Sequence, residues 1–304
     1  MSSRRTRSVF AAASALTVLA FGAAACSSDD QAAGGTQVAA GEKIKAVAVT
    51  DVWGSVITAV GGDKVEVTSI IHDPSADPHS YETTANDALA AKNAKLLLAN
   101  GGGYDDFFGK LADQASGAKK LVAYDIAATG NENEHVWYSL PSVEKIADQV
   151  AAQLGEVQPA SKDVFTANAA AFKGKVEELL KKVTAVGVAH PGSKVIATEP
   201  VAHYLLESAK VTDATPKAFS DAVEAEQDVP AATVGEVKRL ITGKQVKALV
   251  NNAQTVTPVT QQMVGDAKAS SVAVIDVSET LPAGVTDYIV WMTKEVDALA
   301  GALS

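Results

Sequence analysis

Cysteine is almost absent. A single one, Cys26, in 304 residues excludes an internal disulfide framework and any CxxC metal or redox site. Aromatic residues are scarce, at 5%, which argues against a stacking platform for carbohydrate. Positive charge is in deficit: 26 Lys+Arg stand against 36 Asp+Glu, a formal charge of −10. An acidic chain with no basic stripe argues against a nucleic-acid binder. No GxSxG nucleophile elbow and no HExxH zinc-protease helix occur, and Gly101-Gly102-Gly103 lacks the Lys-Ser/Thr of a phosphate loop. What is present is apolar. Hydrophobic residues make up 47% and charged residues 20%, enough to bury a real core in one large or two small domains.

The longest uncharged stretch opens the chain. Arg4, Arg5 and Arg7 precede the Ala-rich run Val9–Ala25, which leads through Gly22-Ala23-Ala24-Ala25 to Cys26. This predicts a secretory signal peptide over 1–25. A spanning helix needs about 17–25 apolar residues, and this run is at the lower limit. The small-residue run ending in the only cysteine resembles a lipobox, in which Cys26 becomes the lipidated first residue of a bacterial lipoprotein. Ala23 stands where such boxes usually carry Leu. Residues 26–42, with Ser, Asp, Ala and Gly dominating Ser27–Gly41, read as a flexible tether. The folded part then sits outside the plasma membrane, held by lipid.

From Lys43 onward, apolar runs alternate with helical periodicity. Ile44–Val49, Lys64–Ile71, Lys95–Ala99 and Lys120–Tyr124 read as strands of a first lobe, 43–160. Asp51 is expected to cap a helix carrying Trp53, Val56, Ile57 and Val60. Leu89, the Tyr104–Leu111 stretch and Pro141–Leu154 mark further helices. Phe165, Phe172, Val176, Leu179, Val183 and Val186 recur at helical spacing, predicting one long linking helix within 161–189. Alternation restarts in a second lobe, 190–304. Strands are expected at Lys194–Thr198, near Val211, at Gln245–Val250 and at Val272–Val277. Helices are expected from Pro200 and at Ala231–Ile241, Thr257–Ala267 and Thr286–Leu303. The fold class is α/β: two lobes, each with a mostly parallel sheet, joined by one rigid helix.

In open α/β sheets, ligands collect beyond the carboxyl ends of the strands. The polar residues there are Asp77-Pro78-His79-Ser80-Tyr81-Glu82, Asn133-Glu134-His135-Val136-Trp137-Tyr138, Glu199-Pro200 and Ser278-Glu279-Thr280-Leu281-Pro282. Two imidazoles from the first lobe and carboxylates from the second suit a divalent transition metal held by mixed N and O ligands. Of the other histidines, His190 reads as a solvent-facing turn residue, His72 as a supporting partner and His203 as a spare ligand.

The PHxYE element at Pro78–Glu82, followed by Asn86-Asp87, Leu97-Leu98-Ala99-Asn100-Gly101 and Tyr104, resembles the metal-binding lipoproteins of bacterial manganese/zinc ABC importers. This is the cluster A-I, adhesin-B-like solute-binding family. His135-Val136-Trp137-Tyr138-Ser139 resembles its second histidine motif, and Thr198-Glu199 with Tyr204 its third. The resemblance covers nearly the whole chain after the leader. It implies metal capture in the interlobe cleft by His79, His135, Glu199 and a fourth carboxylate, followed by delivery to permease and ATPase subunits. Glu279-Thr280-Leu281 fits the family's last-strand pattern. Asp276 is the alternative if the loop is shifted. A monomer is expected, and a filled four-ligand shell leaves little room for an activated water, so no enzymatic activity is expected. The cargo is Mn²⁺ or Zn²⁺, with Fe²⁺ also suited. Zinc-specialised members often carry a His-rich loop, and Asp125–Glu134 contains no histidine, so manganese leads. Binding is expected to fall as pH drops and the histidines protonate. Two other readings compete: a secreted metal-dependent hydrolase, with Glu82 or His203 as base, and a surface adhesin.

Overall fold

The computed structural model describes residues 37–39, 41–76, 78, 80–225 and 227–304. All of these fall within one compact unit, Gly35–Ser304. The expected signal peptide, Cys26 and most of the expected tether lie outside the described residues, as do Asp77 and His79.

Short apolar runs buried on both faces form parallel sheets, because crossover helices cover each side. There are two such sheets. The first consists of β1 (Ile44–Thr50), β2 (Val65–Ile71), β3 (Leu96–Ala99) and β4 (Lys119–Val122), ordered β2-β1-β3-β4. The second consists of β5 (Lys194–Ala197), β6 (Thr212–Asp213), β7 (Ala248–Asn252) and β8 (Ala273–Val277), ordered β6-β5-β7-β8. Every pairing is parallel. The same winding thus occurs twice. In each sheet the chain leaves its first and third strands in opposite directions, which opens a crevice at their carboxyl ends.

Helix Lys162–Ala189 has 28 residues and extends about 42 Å at ~1.5 Å per residue. Phe165, Ala169, Phe172, Val176, Leu179, Val183 and Val186 form its buried stripe. Near its far end a Cβ on Gly187 would lie 2.2 Å from the Ala209 carbonyl oxygen, so only glycine lets the helix approach the second lobe there. One hydrophobic core joins the first lobe, the long helix and the final helix Tyr288–Leu303. A smaller core around Phe219, Ile241, Leu249 and Met263 belongs to the second lobe alone. Among the described residues, no helix is long and apolar enough to cross a membrane.

Several local expectations differ from the structure. β4 stops at Val122 rather than reaching Tyr124, because its partner β3 ends at Ala99, and Ala123–Ala127 coils into a short helix. Asp51 does not cap its helix. Thr50 holds the N-cap position, and the Asp51 carboxylate instead accepts the Leu281 N–H of the second lobe at 3.0 Å. An unexpected helix, Lys217–Glu224, rests on only two buried residues, Phe219 and Val223. Within the segment read as tether, Val38 donates to the Val157 carbonyl, and Gln158 Nε2 donates to the carbonyls of Ala39 and Glu42.

Candidate metal centre

The His135 loop is built from below. Asp105 accepts the N–H groups of Asn100 and Gly101, at 2.6 and 2.7 Å, just past the end of β3. Asn100 in turn donates to the Glu134 carbonyl at 2.9 Å, and its Oδ1 accepts the Trp53 indole N–H. The buried His135 ring lies against Trp137, centroids 5.1 Å apart, and faces Tyr104 at 6.3 Å. Asn133 Oδ1 accepts the His135 N–H at 2.9 Å and lies 3.2 Å from ring Nδ1. A carbonyl oxygen only accepts, so Nδ1 carries a proton toward Asn133.

Glu199 follows β5 by two residues, and Asn252 ends β7, at the crevice of the second sheet. Both are buried, as is Glu279 beyond β8. Asn252 Nδ2 donates to Glu199 Oε2 and, at 2.8 Å, to Glu279 Oε1. One amide nitrogen therefore gathers two buried carboxylates. Asp276 stands elsewhere. It pairs in register with Asn251, is exposed, and accepts from Asn251 Nδ2 at 2.8 Å. Neighbouring residues of a strand point to opposite faces, so Asp276 shares the sheet face away from Asn252.

The lobes meet around these residues. Asn133 Nδ2 donates to the Pro200 carbonyl at 2.9 Å, and Tyr204 donates to the Asn133 carbonyl at 2.7 Å. The Asn131 amide donates to His203 Nε2 at 2.9 Å, which engages the nitrogen a spare ligand would offer. Tyr138 donates to the Ser278 carbonyl, and Tyr288 donates to the Trp137 carbonyl. Gln254 Nε2 bridges the Ala76 carbonyl and Thr280 Oγ1 at 2.9 and 2.8 Å, while its Oε1 accepts the Glu279 N–H. Burial pushes Asp51 up to about 6 despite its Leu281 hydrogen bond. It also pushes the Tyr138 hydroxyl well above its usual range. His72 is exposed, His190 ends the long helix half-buried, and Glu82 is exposed.

The structure thus brings His135, Glu199 and Glu279 to the carboxyl ends of the strands and leaves Asp276 apart. Sequence reasoning passed over Asn252, Gln254 and Glu224. Glu224 Oε1 lies 3.7 Å from His135 Nε2, and Glu134, His135 and Glu224 each bring a ligand atom within 4.8 Å of the others.

Two parallel α/β lobes, one long helix and a buried N/O donor set at the strand ends define a two-lobed binding protein. The chain belongs to the family of the periplasmic zinc-uptake complex component A, ZnuA, whose model matches residues 46–302. It is 28% identical over 174 residues to the iron ABC transporter substrate-binding lipoprotein MtsA of Streptococcus pyogenes, covering 52% of this chain and 54% of that one. The chain thus spans about half the length of that relative. It is 26% identical over 245 residues to the metal ABC transporter substrate-binding lipoprotein ScbA of Streptococcus cristatus, covering 74% and 75% of the two chains. In fold it is similar to the periplasmic zinc-binding protein TroA of Treponema pallidum, with a TM-score of 0.74 at 18% identity over 86% of this chain and 99% of that one.

Proposed function

We propose that this chain is an extracytoplasmic, lipid-anchored, monomeric receptor that captures a divalent transition metal between its lobes. It passes the ion to the permease and ATPase subunits of an ABC-type importer. The proposed ligands are His79, His135, Glu199 and Glu279. The observation that carries the reading is the Asn252 amide holding the buried carboxylates of Glu199 and Glu279 together. Two ionised carboxylates so close repel, and burial penalises each charge. A divalent cation between them offsets both costs. His135, its ring held through Nδ1 by Asn133, leaves Nε2 as the nitrogen that can ligate a metal. Four protein ligands leave little room for an activated water, so the site fits cargo rather than catalysis.

The test is titration of the metal-free mature chain with Mn²⁺ and with Zn²⁺ against a competing chelator. One ion should bind per chain. Glu279→Ala should weaken binding beyond the roughly 10–100-fold typical of losing a supporting partner, and Asp276→Ala should change it little. The opposite order would move the fourth ligand to Asp276. A wild-type chain that binds neither ion would sink the reading.

A further inference from the structure

We propose that Asn252 is a positioning residue that decides which oxygens of Glu199 and Glu279 meet the captured ion. By holding one oxygen of each, it makes both carboxylates single-oxygen ligands. That keeps the shell around the ion small and favours Zn²⁺ over Mn²⁺. The inference rests on the metal-capture reading above and extends it to how the site selects among ions.

Topology puts Asn252 between the two carboxylates. β7 runs between β5 and β8 in the second sheet. Glu199 stands two residues past the end of β5, Glu279 two past the end of β8, and Asn252 is the last residue of β7. The Asn252 N–H donates to Thr198 Oγ1 at 2.8 Å, and the Ala253 N–H donates to the Val277 carbonyl at 3.0 Å. The backbone beneath the side chain is therefore tied toward both neighbouring strands.

The side chain is held as firmly. Asn252 is 1% exposed. Its Oδ1 accepts the Gln254 N–H at 3.1 Å, which settles which end of the amide is which. Nδ2 then donates to Glu199 Oε2, to Glu279 Oε1 and, at 3.1 Å, to Thr255 Oγ1. An amide nitrogen donates and cannot accept. It serves these oxygens whatever else the two carboxyl groups touch and whatever protons they carry.

A bound cation and an amide hydrogen are both positive. They repel when they share one oxygen, and the repulsion grows in a buried site. With Asn252 on Glu199 Oε2 and Glu279 Oε1, the ion takes the other oxygen of each group. A carboxylate that gripped the ion with both oxygens would have to release the amide and leave a buried N–H unsatisfied.

Single-oxygen contacts limit the shell. Two imidazoles and two single oxygens make four donors, the number that satisfies tetrahedral Zn²⁺. Mn²⁺ favours a larger, octahedral set of oxygens. Asn252 thus raises the affinity for Zn²⁺ relative to Mn²⁺, against the lean to manganese read from the His-free loop Asp125–Glu134.

The experiment compares the wild-type mature chain with Asn252→Leu, which has no donor, and Asn252→Ser, whose one short donor does not reach both carboxylates. Chelator competition gives the Mn²⁺ and Zn²⁺ affinities, and X-ray absorption counts the neighbours of bound Mn²⁺. Infrared difference spectra of loaded minus metal-free protein read the carboxylates. Their two stretching bands lie far apart when one oxygen binds and close together when both do. Melting of each metal-free variant checks the fold. The wild type should show the wide splitting with either ion. Both variants should show a narrowed splitting and at least one more oxygen neighbour of Mn²⁺. Their Zn²⁺ affinity should fall about 10–100-fold, and their Mn²⁺ affinity less. A narrow splitting in the wild type overturns the proposal without any variant, so the test survives a variant that does not fold. Variants that keep the wild-type splitting and affinity ratio would reduce Asn252 to a structural group and also overturn it. Equal losses for the two ions would overturn the ion preference. A wild-type chain that binds neither ion overturns the capture reading itself, which separates that failure from this one.

Discussion

Glu295 is buried on the final helix, where the Trp291 indole N–H donates to its Oε1 at 2.9 Å. Burial pushes its carboxyl up to about 7, and the charge of Asp276 adds to the rise. Its folded value lies above its unfolded one, so the folded state holds the proton more tightly. The stability this lends is full below the unfolded value of about 4.5 and is lost as pH rises through about 7. In Glu295→Gln the group no longer titrates. The stability of that variant minus wild type should therefore increase by about 1–3 kcal/mol between pH 5 and pH 8. Denaturant unfolding at several pH values measures it, and a difference that stays flat with pH would remove Glu295 as the titrating group. Of the proposed ligands, His135, Glu199 and Glu279 stood out in the sequence because a titratable residue just past an apolar run is conspicuous. Asn252 and Gln254 occupy the same kind of position after Ala248–Val250 but bear no charge, so nothing flagged them. Glu224 was hidden differently: it ends a helix rather than a strand.

The elements themselves were largely written in the periodicity. Leu96–Ala99 reads as a strand because three consecutive leucine-type residues have nowhere to go but a sheet buried on both sides. The long helix repeats its apolar stripe over many turns, so its course was plain and only its ends moved. Lys217–Glu224 was missed because eight residues with only two buried positions complete too few turns to show a period. How loops lean on one another was not legible at all, since such contacts join residues far apart in the chain. Gln254 is the clearest case. It ties the Ala76 loop of the first lobe to Thr280 and to the Glu279 backbone. A side chain that holds two opposing loops should slow the escape of an ion from between them. Losing hydrogen bonds worth about 1–2 kcal/mol corresponds to roughly 5–30-fold, so Gln254→Ala should release bound metal faster by that factor. A stopped-flow chase with excess chelator reads it directly, and an unchanged release rate would rule out the bridge as a latch.

For the molecule as a whole, the proposed anchor and the proposed site are separable. The described fold begins to pack at Val38, which donates to the Val157 carbonyl, and Cys26 is twelve positions earlier in the sequence. Cys26→Ser should therefore leave the membrane fraction in a bacterial host while binding metal with wild-type affinity. Retention in the membrane would count against lipidation.

The last helix gives this architecture an order in time. Tyr288 reaches back to the Trp137 carbonyl, and Trp291 packs on Tyr138 at 5.4 Å, so the floor under His135 is finished by residues that follow every proposed ligand in the sequence. Synthesis runs from the other end. A ribosome-bound or half-exported polypeptide can have made every proposed ligand and still lack the residues that hold His135 in place. The proposed site is therefore complete only once the first turn of the last helix, with Tyr288 and Trp291, has followed the ligands out.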